Sequence, residues 1–123
     1  MLSMRLLSVV LFIAVVLAAA DPTTSQPKAS SDVLSQASAL YQRTAYEDSL
    51  RILSENPTPG AAAYLLSGKN YFMLGEYKRA IEFFDKALAL APGNSECELW
   101  LGRAWGRRAE TGGWLTAGFN ASK

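Results

Sequence analysis

The chain has 123 residues, half of them hydrophobic, with twelve lysines and arginines against eleven aspartates and glutamates. It has no histidine and one cysteine, Cys97, which removes the usual general base and commonest metal ligand and leaves no pair for a disulfide or set for a zinc cage. The length holds one small domain, and the near-neutral charge lacks the basic surface that general nucleic-acid binding requires.

Arg5 precedes an apolar run that begins at Leu6 and ends Ala18-Ala19-Ala20-Asp21. A positive start, an apolar core and a small-x-small site predict a secretory signal peptide over 1–20, cut before Asp21. The alternative is a retained membrane anchor, although the run is shorter than the ~18–20 residues that span a bilayer. No cysteine follows it as a lipid acceptor. Cleavage removes Arg5 and no acid, leaving eleven cationic and eleven anionic side chains. Residues 21–31 hold Pro22, Pro27, two threonines and three serines, a composition that predicts a disordered linker.

Ser31 or Asp32 then caps a helix running to about Arg43, with Val33, Leu34, Ala37, Leu40 and Tyr41 on its apolar face. Thr44-Ala45-Tyr46-Glu47 has the spacing of a capping box for the next helix. That helix carries Tyr46, Ser49, Leu50 and Leu53 and stops at Asn56-Pro57. Thr58-Pro59 supplies an N-cap and a first-turn proline for the helix after it.

The most regular stretch is 61–94. Apolar or small residues at Tyr64, Leu65, Gly68, Tyr71 and Phe72 make one helical face, and Ala80, Ile81, Phe84, Ala87, Leu88 and Ala91 make another. Leu74-Gly75-Glu76 breaks the first helix, because glycine takes positive φ at a helix end without steric cost. So short a turn lays the helices antiparallel. Small Gly68, Ala80 and Ala87 let the backbones approach, and Tyr71 and Phe84 fill the gaps. Pro92 ends the second helix.

Tyr64-x3-Gly68-x2-Tyr71-x3-Gly75-x-Tyr77-x2-Ala80-x3-Phe84-x2-Ala87-x4-Pro92 resembles a tetratricopeptide repeat, the helical-hairpin unit of many peptide-binding scaffolds. Tyr64 stands where the signature has tryptophan, and Ser67 where it has leucine, which weakens local packing. The earlier segment repeats the pattern at one constant offset: Tyr46 matches Tyr77, Leu50 matches Ile81, Leu53 matches Phe84, and Ala37 and Leu40 match Gly68 and Tyr71. The resemblance implies an all-α fold of antiparallel helical hairpins stacked as a short solenoid. The domain covers 32–123, with a degenerate repeat at 32–57, the best repeat at 61–94 and an incomplete one at 95–123.

In that last repeat Asn94 or Ser95 is the expected cap. Leu101-Gly102-x2-Trp105 restates the signature one repeat beyond Gly68 and Tyr71, with Glu98 replacing the first aromatic. The helix is expected to end near Ala109. Glu110-Thr111-Gly112-Gly113-Trp114 reads as a loop, with a last helix from about Thr116. Two and a half repeats without a cap predict either a piece of a longer protein or an open edge, near Trp100, Trp105 and Trp114, that pairs with another chain.

No catalytic constellation, metal site or cofactor motif is present, so an enzyme is not expected. Cys97 reads as a packing residue; Glu96/Glu98 and Glu82/Asp85 read as solvated faces. Gly112-Gly113 lacks the strand and lysine of a phosphate loop, and Asn120-Ala121-Ser122 is a glycosylation sequon. The resemblance implies a concave groove lined by Leu34, Ser38, Tyr41, Gln42, Leu65, Lys69, Phe72, Met73, Leu99, Arg103 and Arg107. Lys69, Arg103 and Arg107 on one wall suggest a protein or peptide partner with an acidic group. The alternative is a solvated basic face in which Arg103, Arg107 and Arg108 favour the end of their helix dipole. The functional expectation is an exported interaction scaffold, periplasmic or secreted, without nucleic acid. Its alternatives are a structural subunit tethered to a membrane by 1–20, and the accessory domain of an enzyme whose catalytic part lies beyond Lys123.

Overall fold

Residues 26–120 are described by a computed structural model. Among the described residues five helices succeed one another: α1 (Gln26–Gln42), α2 (Tyr46–Ser54), α3 (Ala61–Met73), α4 (Tyr77–Leu90) and α5 (Ser95–Asn120). The fold is all-α, with helix pairs stacked as a short solenoid. Residues up to Asp32 form one unit, of which the described part is the helical stretch 26–32. Those from Val33 form a second. The signal segment 1–20, the start of the linker and Ser122 of the sequon lie outside the described residues.

Within the second unit α3 packs most extensively on α4, and α4 in turn on α5. The α3–α4 contact is decided by Gly68 and Phe84. A Cβ at Gly68 would fall 2.4 Å from the Phe84 ring, and Phe84 is fully buried. Burying a ring of that size stabilises by about 1.5–3 kcal/mol. Leu65, Ala80, Ile81, Ala87, Cys97 and Ala104 complete this core, with Tyr64, Tyr71, Phe72, Leu88, Trp100 and Leu101 packed against it. A second cluster joins Ala37, Leu53, Ala63 and Leu66. In this pair the roles are redistributed: Ala37 replaces the glycine and the smaller Leu53 replaces the phenylalanine, so a methyl takes up part of the volume of a ring.

A buried polar tie links the first three helices. Ser49 Oγ donates to the Ala37 carbonyl (2.8 Å) and accepts from Asn70 Nδ2 (2.9 Å), which also donates to the Leu66 carbonyl (2.9 Å). Asn70 Oδ1 is buried without a hydrogen-bond partner. Such a group is costly, so this tie fixes helix register at the expense of stability. Ser67, expected to weaken packing, is buried and donates to the Ala63 carbonyl one turn back (2.9 Å).

Several expected boundaries are corrected. α1 starts at Gln26, not at Ser31 or Asp32, so the second half of the expected linker is helical. Pro27 falls in the first turn, where a missing N–H costs nothing. Thr44 does not form a capping box: Ala45 is the N-cap of α2 and no side chain bonds there. Thr44 instead ends α1 at φ 62°. The Thr44 N–H bonds the Tyr41 carbonyl and the Ala45 N–H bonds the Leu40 carbonyl, the pattern of a Schellman turn. Gly75, at the equivalent position of the next repeat, makes the same turn at φ 78° with Phe72 and Tyr71. Gly60, not Thr58-Pro59, is the extended N-cap of α3. Asn94 caps α5 as expected, its Oδ1 accepting from the Glu96 and Cys97 N–H groups at 3.0 and 3.2 Å.

The largest correction is in α5, which runs unbroken to Asn120. Neither the loop at 110–114 nor a separate helix from Thr116 forms. Only Gly75 and Gly93 take positive φ among the described glycines, so Gly112-Gly113 stays helical. The Arg107–Glu110 ion pair and the Thr111 hydroxyl bonded to the Arg107 and Arg108 carbonyls brace the turn before it.

Thr44 is a β-branched residue in the left-handed region, which costs L-residues about 1–2 kcal/mol. Thr44→Gly is expected to raise the unfolding free energy by about 1 kcal/mol, read as a higher urea midpoint at unchanged slope. A lower midpoint would contradict the turn assignment.

Candidate interaction surface

Three elements supply one continuous seam of aromatic and charged side chains. Residues i and i+3 of α3, Lys69 and Phe72, share a face. α5 adds Glu96, Trp100, Arg103 and Arg107, again at helical spacing, and Tyr77 opens α4. Trp100 is the hub. Its ring meets Phe72 edge-on at 5.3 Å and stacks on Phe84 at 6.3 Å. Lys69 Nζ lies 5.4 Å from its centroid and the Arg103 guanidinium 5.1 Å. Phe72 also meets Tyr77 edge-on at 5.3 Å. Arg107 Nε donates to the Tyr77 hydroxyl at 3.4 Å, and its guanidinium pairs with Glu110 at 3.0 Å.

The electrostatics differ from a wall of three equivalent cations. Lys69 is mostly buried and forms an ion pair with Glu96. Arg107 is held by Tyr77 and Glu110, and the Tyr77 hydroxyl, then the Glu110 carboxylate, push it further up from its already high value. Arg103 is exposed, and no carboxylate pairs with it among the described residues. It offers a charged face on an aromatic ring, a cation–π arrangement that orients the guanidinium.

Of the expected lining residues, Lys69, Phe72, Arg103 and Arg107 come together in this seam. Met73 and Leu99 are exposed beside it in sequence, each about half accessible. Leu65 does not line it: it shares the face of Lys69 and Phe72 but is buried in the main core one turn earlier in α3. Leu34 and Tyr41 pack half-buried against the Ala37–Leu53–Ala63–Leu66 cluster. Tyr41 meets Tyr46 edge-on at 5.5 Å, and burial, then Tyr46, push its hydroxyl up. Ser38 is half-buried and Gln42 exposed. The signature residue Gly102, equivalent to Gly68, has no side chain against it, and Trp105 is half exposed with Arg108 5.2 Å from its ring.

The groove pattern does not single out three members of the seam: Trp100, Tyr77 and Glu96. The available signal is the spacing of Trp100, Arg103 and Arg107 at i, i+3 and i+7 of one helix. Glu96 escapes such a reading, since its partner Lys69 is distant in sequence and belongs to another helix. Among the described residues no group of three or more histidine, cysteine, aspartate or glutamate side chains could hold a metal ion, and no helix is long and apolar enough to cross a membrane.

The hairpin of α3 and α4, closed by Pro92 and the Asn94 cap, is the unit that decides the comparison. Residues 61–94 match the tetratricopeptide repeat family model. No curated protein matches the chain. The matched repeat covers both helices that carry Lys69, Phe72, Tyr77 and Phe84.

Cys97 is fully buried under this seam. Burial, then Glu96, raises its thiol above the ordinary value, with Lys69 opposing. The unfolded chain therefore loses this proton first as pH rises, and the contribution to stability, full below about pH 8.5, declines above it. Wild type is expected to lose more melting temperature than Cys97→Ala between pH 8 and 10. Parallel curves would contradict the buried thiol.

Proposed function

We propose that the protein is an exported tetratricopeptide-repeat scaffold that binds a protein segment on the α3–α5 seam. Arg103 takes an acidic group of the partner, and Leu99 and Met73 take apolar side chains. The observation that carries this is Arg103 itself, exposed, seated on Trp100 and without a carboxylate of its own chain among the described residues. Leu99 stands one turn away on the same helix, and both it and Met73 leave about half of their surface to solvent. A charge-assisted bond from a planar guanidinium sets the orientation of a carboxylate, and the apolar neighbours add area. Lys69 contributes indirectly: its bond to Glu96 holds the ammonium over the Trp100 ring.

Export rests on the first twenty residues, with their single Arg5, apolar core and Ala18-x-Ala20 site. Expression in a host with a secretory pathway is expected to yield a mature chain beginning at Asp21, read by intact mass. A mass that retains 1–20 would favour the membrane-tethered alternative.

An array of short peptides, matched in apolar content and differing in acidic residues, tests the seam. Binders are expected to be enriched in aspartate or glutamate, and Arg103→Glu is expected to weaken them roughly tenfold or more with unchanged helicity. Equal binding by the variant would remove Arg103 from the site.

A further inference from the structure

The side of α3 that carries Tyr64, Ser67 and Tyr71, at i, i+3 and i+7, borders a slot of about 140 Å³. These positions are not on the face that carries Lys69 and Phe72. The slot has a structural origin. α4 continues beyond Phe84 through Ala87 and Leu88, both packed in the core. α2 stops at Ser54, directly after Leu53, the equivalent of Phe84. The non-helical 55–60 segment replaces the missing turn, and the slot is lined by Leu53 of α2, Pro59 of that segment, Ala63, Tyr64 and Tyr71 of α3, and Phe83 of α4.

Two rings of its aromatic wall, Phe83 and Tyr64, carry a cation. Phe83 contacts Tyr71 at 5.1 Å and Tyr64 at 6.1 Å. Lys86 Nζ sits 4.7 Å from the Phe83 centroid and 5.8 Å from that of Tyr64. No carboxylate pairs with Lys86 among the described residues, whereas Arg79, over Tyr71, is paired with Glu76. An apolar cavity of about 150 Å³ accepts a benzene molecule, so this slot has room for one side-chain ring. The cation over two of the lining rings would favour an anionic group on whatever carries that ring.

We infer that the slot beneath the shortened α2 is a second docking point, which takes one phenylalanine-sized side chain of a partner segment with a carboxylate next to it on Lys86. It stands apart from the α3–α5 seam, so two partner segments, or two parts of one, bind without competing.

The probe is N-acetyl-L-phenylalanine, titrated into the isotopically labelled full chain and followed by amide chemical shifts. Saturable shifts are expected at Ala63, Ser67 and Phe83. N-acetyl-L-phenylalaninamide, which lacks the carboxylate, is expected to bind about two- to fivefold more weakly, the range of an exposed ion pair. Lys86→Gln, an exposed substitution, should erase that difference while leaving the amide's own affinity unchanged. No saturable shift at those amides would overturn the docking point. Equal affinity for acid and amide in wild type, or a difference that survives in Lys86→Gln, would overturn the role of the cation. Arg103→Glu should change none of these values; if it does, the probe is on the seam and the slot assignment is wrong.

Discussion

The approach of Gly68 to Phe84 is the constraint on which the other features depend. With any side chain at Gly68 the Phe84 ring would have to move, since even a Cβ would stand 2.4 Å from it. A fully buried ring in a close-packed interior has little room to do so. That contact sets the distance between α3 and α4. The Phe84 ring held there also stacks on Trp100 of α5. Lys69, Phe72, Tyr77 and Arg103 are gathered round Trp100 only because α3, α4 and α5 are held at these separations.

The same packing sets cations of a nearly neutral chain against aromatic rings. Four cations are paired locally: Arg51 with Asp48, Arg79 with Glu76, Arg107 with Glu110, and Lys69 with Glu96 across two helices. Exposed pairs such as the first three contribute little to stability, but they cancel charge that would attract anions without discrimination. Among the cations without such a pair in the described residues, Arg103 lies on the Trp100 ring and Lys86 on the Phe83 ring. Recognition by such groups depends on geometry as much as on charge, because the ring restricts where the cation can sit.

Much of the fold is legible in the sequence because a repeat states its packing rules twice. The constant offset between the first two repeats pairs Ala37 with Gly68 and Leu53 with Phe84, and both pairs meet in the two cores. The failures occur where one local rule competes with another. Thr44 has the spacing of a cap for the helix after it, but it closes the helix before it, at the position that Gly75 occupies in the next repeat. Gly112-Gly113 resembles that same turn, yet a glycine permits positive φ without requiring it, and α5 runs on. The site is less legible than the fold. Leu65 and Phe72 both lie on apolar stripes of α3, and nothing in the spacing tells which is sealed by α5 and which stays half open. The Ser49–Asn70 tie has a faint signal: these two polar residues stand where the neighbouring repeats have Ala80 and Ala104.

The central claim is that one close helix contact positions the seam. Nuclear Overhauser and chemical-shift measurements on the aromatic and α protons test it most directly. The structure requires the Gly68 α protons to lie against the Phe84 ring and to be displaced from ordinary helical glycine shifts by its ring current, with cross-peaks from Trp100 to both Phe72 and Phe84. Ordinary Gly68 shifts, or Trp100 cross-peaks to neither ring, would show that α3, α4 and α5 are not held in this way, and the seam would lose its physical basis.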